Sequence, residues 1–62
     1  MINVQVTARF YSPYEITLTD RGEASYLELA IKRAIVRIKN QPRSWKGKRS
    51  IKRIVFEVDV LK

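Results

Sequence analysis

The chain has 62 residues, no cysteine, no histidine and a net charge of +7. These features exclude disulfides, thiolate metal sites and the commonest zinc ligands, so a small core must be supplemented by tight packing, a second subunit or a bound partner. We therefore expect one small basic domain over residues 1–62, without a metal or a cofactor, whose charge favours a polyanionic partner.

The N-terminal residues show neither a signal-peptide pattern nor a membrane span. Residues 1–10 alternate polar and apolar side chains, with no charged segment followed by an apolar run. No apolar stretch approaches the roughly 18 residues that a bilayer span requires. The absence of cysteine fits a reducing compartment. We expect a cytoplasmic, intracellular protein with no membrane partner.

Two alternating segments predict a β-hairpin. Apolar residues occupy every second position over residues 2–10 and again over residues 14–19, which is the period of a strand with one buried face. Between them, Pro13 presets its own φ angle and lacks a backbone donor, which favours a turn. The short connection predicts that the two strands are antiparallel.

A helix is predicted over about residues 24–40. Its apolar positions recur every three or four residues and form one stripe: Leu27, Ala30, Ile31, Ala34, Ile35 and Ile38. Two capping boxes compete for its start, one beginning at Asp20 and one at Ser25. Residues 20–23 are accordingly expected to be a turn or the beginning of the helix. Pro42 ends the helix, because the residue before a proline avoids the α region.

A third strand is predicted over about residues 51–61, after a basic loop at 41–50. The order β-β-α-β indicates an α+β fold, in which a three-stranded, mainly antiparallel sheet carries one helix on one face. We prefer the strand order 2-1-3, because the first strand has the longest clean alternation. A third strand parallel to the second, reached by a right-handed crossover, is the alternative. Both arrangements leave two open sheet edges, which invite pairing with another copy, and we expect a homodimer.

Basic residues are concentrated between Lys32 and Arg53. Ten of the 13 lie there, and no acidic residue occurs between Glu28 and Glu57. This segregation predicts a patch that grips nucleic-acid phosphates, and both DNA and RNA fit it. The predicted contacts are Arg37, Arg43, Trp45, Lys46, Lys48, Arg49, Lys52 and Arg53. Cations in the C-terminal half of the helix also complement its dipole, whereas those of the loop have no comparable structural explanation.

Trp45 has two interpretations. It lies between basic residues on a polar loop, where its ring could stack on an unpaired base. It could equally fold back as a lid over the open end of the small core.

The outward face of the helix is a second candidate surface. Four residues there are predicted to contact a partner or a second copy: Tyr26, Leu29, Arg33 and Val36. Exposed apolar residues one heptad apart favour such a contact. The alternative is that scattered apolar residues are an ordinary feature of surfaces.

The preferred function is nucleic-acid binding rather than catalysis. The chain has no histidine, no cysteine and no glycine-rich phosphate loop, and the carboxylates of Glu57 and Asp59 are expected to pair with cations on the neighbouring strand. The alternative is a protein-interaction or inhibitor module of the viral or mobile-element accessory type, which docks on an acidic protein surface. A subunit of a ribonucleoprotein assembly is a further alternative.

Overall fold

A computed structural model describes residues 1–61, which form three strands and one helix. Strand β1 spans Ile2–Tyr11, β2 spans Glu15–Ala24, helix α1 spans Leu27–Lys39 and β3 spans Ile54–Leu61. β1 is the central strand and pairs antiparallel with both neighbours, in the order β2-β1-β3. The predicted fold class and the preferred strand order are confirmed. Within residues 1–61, no helix is long and apolar enough to cross a membrane.

Strand β2 continues past its predicted end. Residues 20–23, expected to be a turn or a helix start, belong to the strand. Gly22 and Ala24 keep the inward alternation going and are buried opposite apolar residues of β1. The helix consequently begins later than predicted, at Leu27. Tyr26 is its N-cap, and no side chain caps the first turn, so neither predicted capping box forms.

The helix packs on β2 and β1 and leaves β3 uncovered. Its small residues Ala30 and Ala34 are fully buried, which lets the helix lie close to the sheet. The apolar residues of β3 on the helix side of the sheet are substantially exposed. Phe56 is 39%, Val58 40% and Val60 59% exposed. The reason is that one helix is too narrow to cover three strands.

The core therefore lies between α1 and the β1–β2 hairpin. Its buried residues are Val4, Val6, Ala8, Phe10, Ile16, Leu18, Ala24, Ala30, Ala34 and Ile38. β3 begins at Ile54, later than predicted, because its partner strand ends at the hairpin turn. The N–H of Ser12 donates to the carbonyl oxygen of Tyr14 at 2.9 Å to close that turn, so little of β1 remains for residues 51–53 to pair with.

Three side chains close the β2 edge of the sheet. The donors are Arg33, Arg37 and Gln41, and their acceptors, in the same order, are the backbone carbonyl oxygens of Glu23, Arg21 and Thr19, at 2.9, 2.9 and 3.2 Å. Side chains four residues apart on a helix are spaced by about 6 Å, close to the spacing of about 6.7 Å between alternate strand residues. The prediction of two open edges is therefore wrong for the C-terminal half of β2, where the outward carbonyls of Thr19, Arg21 and Glu23 have partners.

Candidate nucleic-acid interface

Six basic residues lie on the segment that connects α1 to β3, at the end of the sheet where the hairpin turns. We term them the basic tip: Arg43, Lys46, Lys48, Arg49, Lys52 and Arg53. All six are exposed. Within residues 1–61, the only ion pair joins Arg9 to Glu57, with 2.9 Å between Nη1 and Oε1. No described carboxylate therefore neutralises the basic tip, which repels itself and attracts polyanions.

A buried serine fixes the course of the loop that carries the basic tip. Ser44 is buried, and its hydroxyl donates to the carbonyl oxygen of Lys39 and accepts from the N–H of Lys46. The loop then turns at Gly47, whose φ of 80° suits glycine. Sequence reasoning did not single out Ser44. The signal that marks it is a small hydroxyl residue just beyond a helix end, where unpaired carbonyls need donors.

Trp45 packs beneath this loop, against two phenylalanines. Its ring centroid lies 6.0 Å from that of Phe10 and 5.6 Å from that of Phe56, with both rings nearly perpendicular to it. Edge-to-face contacts of this kind stabilise aromatic clusters. The geometry matches the interpretation of Trp45 as a lid over the end of the core, and we do not assign it a stacking role.

Two shallow clefts meet at Arg53. One, of about 400 Å³, is lined by Tyr11, Ser12, Pro13, Ser50, Lys52 and Arg53. The other, of about 300 Å³, is lined by Arg9, Phe10, Tyr11, Glu15, Arg53 and Val55. Tyr11 lines both and is 67% exposed. An exposed aromatic ring beside a guanidinium can hold an unpaired base and its phosphate.

Sequence reasoning missed Tyr11 as a candidate contact. It lies at the end of β1, outside the basic stretch that drew attention in the sequence. An aromatic residue beside a tight turn, on the outward side of the strand alternation, is the signal that would have pointed to Tyr11.

Arg37 does not join the basic tip, although it was predicted to contact nucleic acid. Its guanidinium donates to the carbonyl of Arg21, which pairs with Gln5 well away from the hairpin turn. Arg37 therefore helps to satisfy the backbone at the β2 edge. The structure places the six cations of the basic tip on the segment between α1 and β3, and Arg37 on the helix beside β2.

The outward helix face is only partly as predicted. Tyr26 and Val36 are exposed, but Leu29 is half-buried and packs against the core instead of lying opposite to it. Arg33 donates to the β2 edge. The residues around a shallow cleft of about 380 Å³ on this face are Leu29, Lys32, Arg33, Val36 and Arg37. A partner contact here stays a prediction.

No protein-family model matches the chain, and no curated protein or solved structure matches it either. Function must therefore be inferred from the charge and geometry of the described residues.

Proposed function

We propose that this protein binds nucleic acid, DNA or RNA, through the basic tip and has no catalytic role. The observation that carries the proposal is a set of six exposed cations without a carboxylate partner among residues 1–61. Their mutual repulsion destabilises the free protein, and a phosphate backbone would relieve it by replacing condensed counterions.

The charge distribution along the molecule supports end-on binding. The protein is elongated, with extents of 37 × 17 × 16 Å. Arg53 immediately precedes Ile54, which pairs with the end of β1, whereas Glu23 and Asp59 pair with residues near its beginning. The basic tip and the carboxylates of Glu23 and Asp59 thus lie toward opposite ends of β1. A polyanion would be attracted most strongly to the basic tip.

Binding through the basic tip predicts a steep salt dependence. If all six cations contact phosphates, log K against log salt should have a slope of about −5 on duplex DNA and about −4 on a single strand. The double variant K46Q/K48Q should reduce the duplex slope in magnitude by about 1.8. Fluorescence anisotropy with labelled single- and double-stranded oligonucleotides measures both quantities.

The matched control removes the same charge elsewhere. Arg21 and Lys32 are exposed and lie outside the basic tip, so R21Q/K32Q should leave the slope nearly unchanged. Equal losses in the two double variants would assign binding to net charge alone. Absence of binding to either oligonucleotide at about 50 mM salt would overturn the proposal.

Tyr11 should add a preference for unpaired bases. Stacking on an aromatic side chain contributes about 1–3 kcal/mol per base, so Y11A should weaken single-strand binding by about tenfold without changing the salt slope. Tyr14 is 78% exposed and lines neither cleft, which makes Y14A the matched control, expected to bind within about twofold of wild type. Equal effects of the two variants in the same anisotropy assay would contradict a stacking role for Tyr11.

A second candidate function is docking on an acidic protein surface. The exposed apolar face of β3 favours it, since exposed apolar patches mark contacts between proteins. A ribonucleoprotein subunit would combine both functions. Capture of one defined acidic protein that survives nuclease treatment, together with no oligonucleotide binding, would favour this second candidate over the first.

A further inference from the structure

The two edges of the sheet differ in how their backbone groups are satisfied. Side chains from α1 and the following loop occupy the C-terminal half of the β2 edge. Asp20 adds to this closure, because its Oδ1 accepts from the N–H of Arg21 at 2.8 Å. No comparable hydrogen bond within residues 1–61 reaches the outer edge of β3. An unprotected edge is a template for another strand.

The pairing pattern shows which residues of β3 face that edge. In an antiparallel strand, alternate residues direct both N–H and C=O to the same side. The backbone groups of odd-numbered β2 residues face the outer edge, because the carbonyls of Thr19 and Arg21 bond to side chains there. Even-numbered β2 residues therefore bond to their even-numbered partners on β1. The odd-numbered residues of β1 consequently bond to β3. The β3 partners of those odd-numbered residues are also odd-numbered. The outward backbone groups of β3 therefore belong to Ile54, Phe56, Val58 and Val60.

We propose that β3 pairs antiparallel with the β3 of a second copy of this chain, about a twofold axis at Phe56. Two copies would then form one continuous six-stranded sheet with both helices on the same face. The pairing satisfies the exposed row of backbone groups on β3. This self-association does not depend on nucleic-acid binding.

Charge complementarity selects this register. On the helix-free face, an axis at Phe56 places Arg53 directly opposite Asp59 of the partner subunit, twice by symmetry. Within residues 1–61, Asp59 has no ion pair, so it is available for this contact. An axis at Val58 would instead oppose Glu57 with the partner's Asp59, and like charges directly opposite are destabilising.

A third register competes less well. An axis at Val55 would place Arg53 opposite Glu57 of the partner subunit, but Arg9 already holds Glu57 at 2.9 Å. That register would also leave the carboxylate of Asp59 without a cation on the paired strand. The axis at Phe56 is therefore the one that adds two ion pairs and keeps the existing one.

The same register covers apolar surface. On the helix-covered face, Phe56 meets its own copy across the axis, and Ile54 meets Val58 of the partner subunit. Phe56 and Val58 are about 40% exposed in the single chain, and cross-strand apolar pairs at these positions remove part of that area from water.

The arrangement also keeps the two basic tips apart. In this antiparallel register, Arg53 of each basic tip lies beside Asp59 of the partner subunit. The two Arg53 residues are six strand positions apart across the axis, which is about 20 Å and beyond the screening length at 0.15 M salt. Net repulsion between two chains of charge +7 is thereby reduced.

Sedimentation equilibrium in the absence of nucleic acid tests the pairing, using variants that reverse the charge at Arg53 or at Asp59. The wild-type mass should approach twice 7.3 kDa as the concentration rises. D59R and R53D alone each create two like-charge pairs and should weaken self-association by about tenfold or more. An equimolar mixture of the two variants should recover wild-type association, because both cross-strand pairs are again of opposite charge.

Two proline variants keep the test independent of charge. The N–H of Val58 faces the open edge, so V58P loses no bond to β1 but blocks the partner strand. T17P, the same change on an outward position of β2, should leave the mass unchanged. Circular dichroism spectra check that each variant is folded.

Any of four results would overturn the proposal. The first is a wild-type protein that stays monomeric at about 1 mM. The second is a dimer whose association is unchanged in D59R, R53D and V58P. The third is a mixture of D59R and R53D that associates no better than either variant alone. Loss of the dimer in V36E without an effect of the charge variants would move the contact to the outward helix face, which also contradicts pairing through β3.

Discussion

Replacing Gly22 with alanine is expected to lower the free energy of unfolding by about 3 kcal/mol. A Cβ atom at this position would lie 2.6 Å from the amide nitrogen of Ala34 and would also collide with the carbonyl oxygen of Ala30. Both atoms belong to the helix backbone and cannot rotate away. The whole helix would have to move off β2, which would loosen the packing of Ala30, Ala34 and Ile38. A single core of this size supplies only about 3–5 kcal/mol, so G22A should be close to unfolded at 25 °C.

Urea denaturation followed by the fluorescence of the single tryptophan measures this loss. Gly47 provides the matched control, because no atom lies within 4 Å of a Cβ built there, although its φ of +80° is strained for alanine. G47A should therefore cost about 1 kcal/mol. Equal costs for the two variants would contradict the close helix–strand approach at Gly22.

Replacing Trp45 with alanine is expected to cost about 2–3 kcal/mol. The indole bridges Phe10 and Phe56 across the end of the sheet, and its removal exposes both rings to water. The cost is below that of a fully buried tryptophan because Trp45 is half-buried. Thermal unfolding followed by circular dichroism measures the loss, since the variant has no fluorescent tryptophan.

Replacing Trp45 with phenylalanine distinguishes a role in covering the core from a role in binding nucleic acid. W45F keeps an aromatic ring between the two phenylalanines and should retain most of the stability. It should also bind single-stranded oligonucleotides within about twofold of wild type. A W45F protein of normal stability with at least about tenfold weaker single-strand binding would instead assign Trp45 a direct stacking contact.

Periodicity made the helix and the first strand predictable. The alternation from Ile2 to Phe10 and the stripe through Ala30, Ala34 and Ile38 each mark one buried face, and these faces form the core. Such patterns are local, because a strand and a helix bury every second and about every third or fourth residue whatever they pack against. The basic tip was equally visible, since an acid-free run of cations is a property of the chain alone.

The sequence predictions differ from the structure at residues whose contacts are with distant parts of the chain. Gly22 marked a turn in the sequence, but in the structure it allows the helix backbone to approach β2. Arg33 was predicted to contact a partner and Arg37 to contact nucleic acid, and the structure adds that both donate to carbonyls of an edge strand far away in the chain. Neither contact can be seen in residue spacing, because the partners become neighbours only when the helix returns along β2.

Residue patterns along the chain predict the elements, their order and the segregation of the basic residues. Packing sets which strands the helix covers and which part of the sheet edge is closed. It also places Trp45 between Phe10 and Phe56 and leaves Tyr11 exposed beside Arg53. The two kinds of feature differ in the distance along the chain over which their interactions act. Hydrophobic periodicity acts between near neighbours in the chain, whereas edge protection, lids and clefts depend on distances between segments that only the packed core brings together.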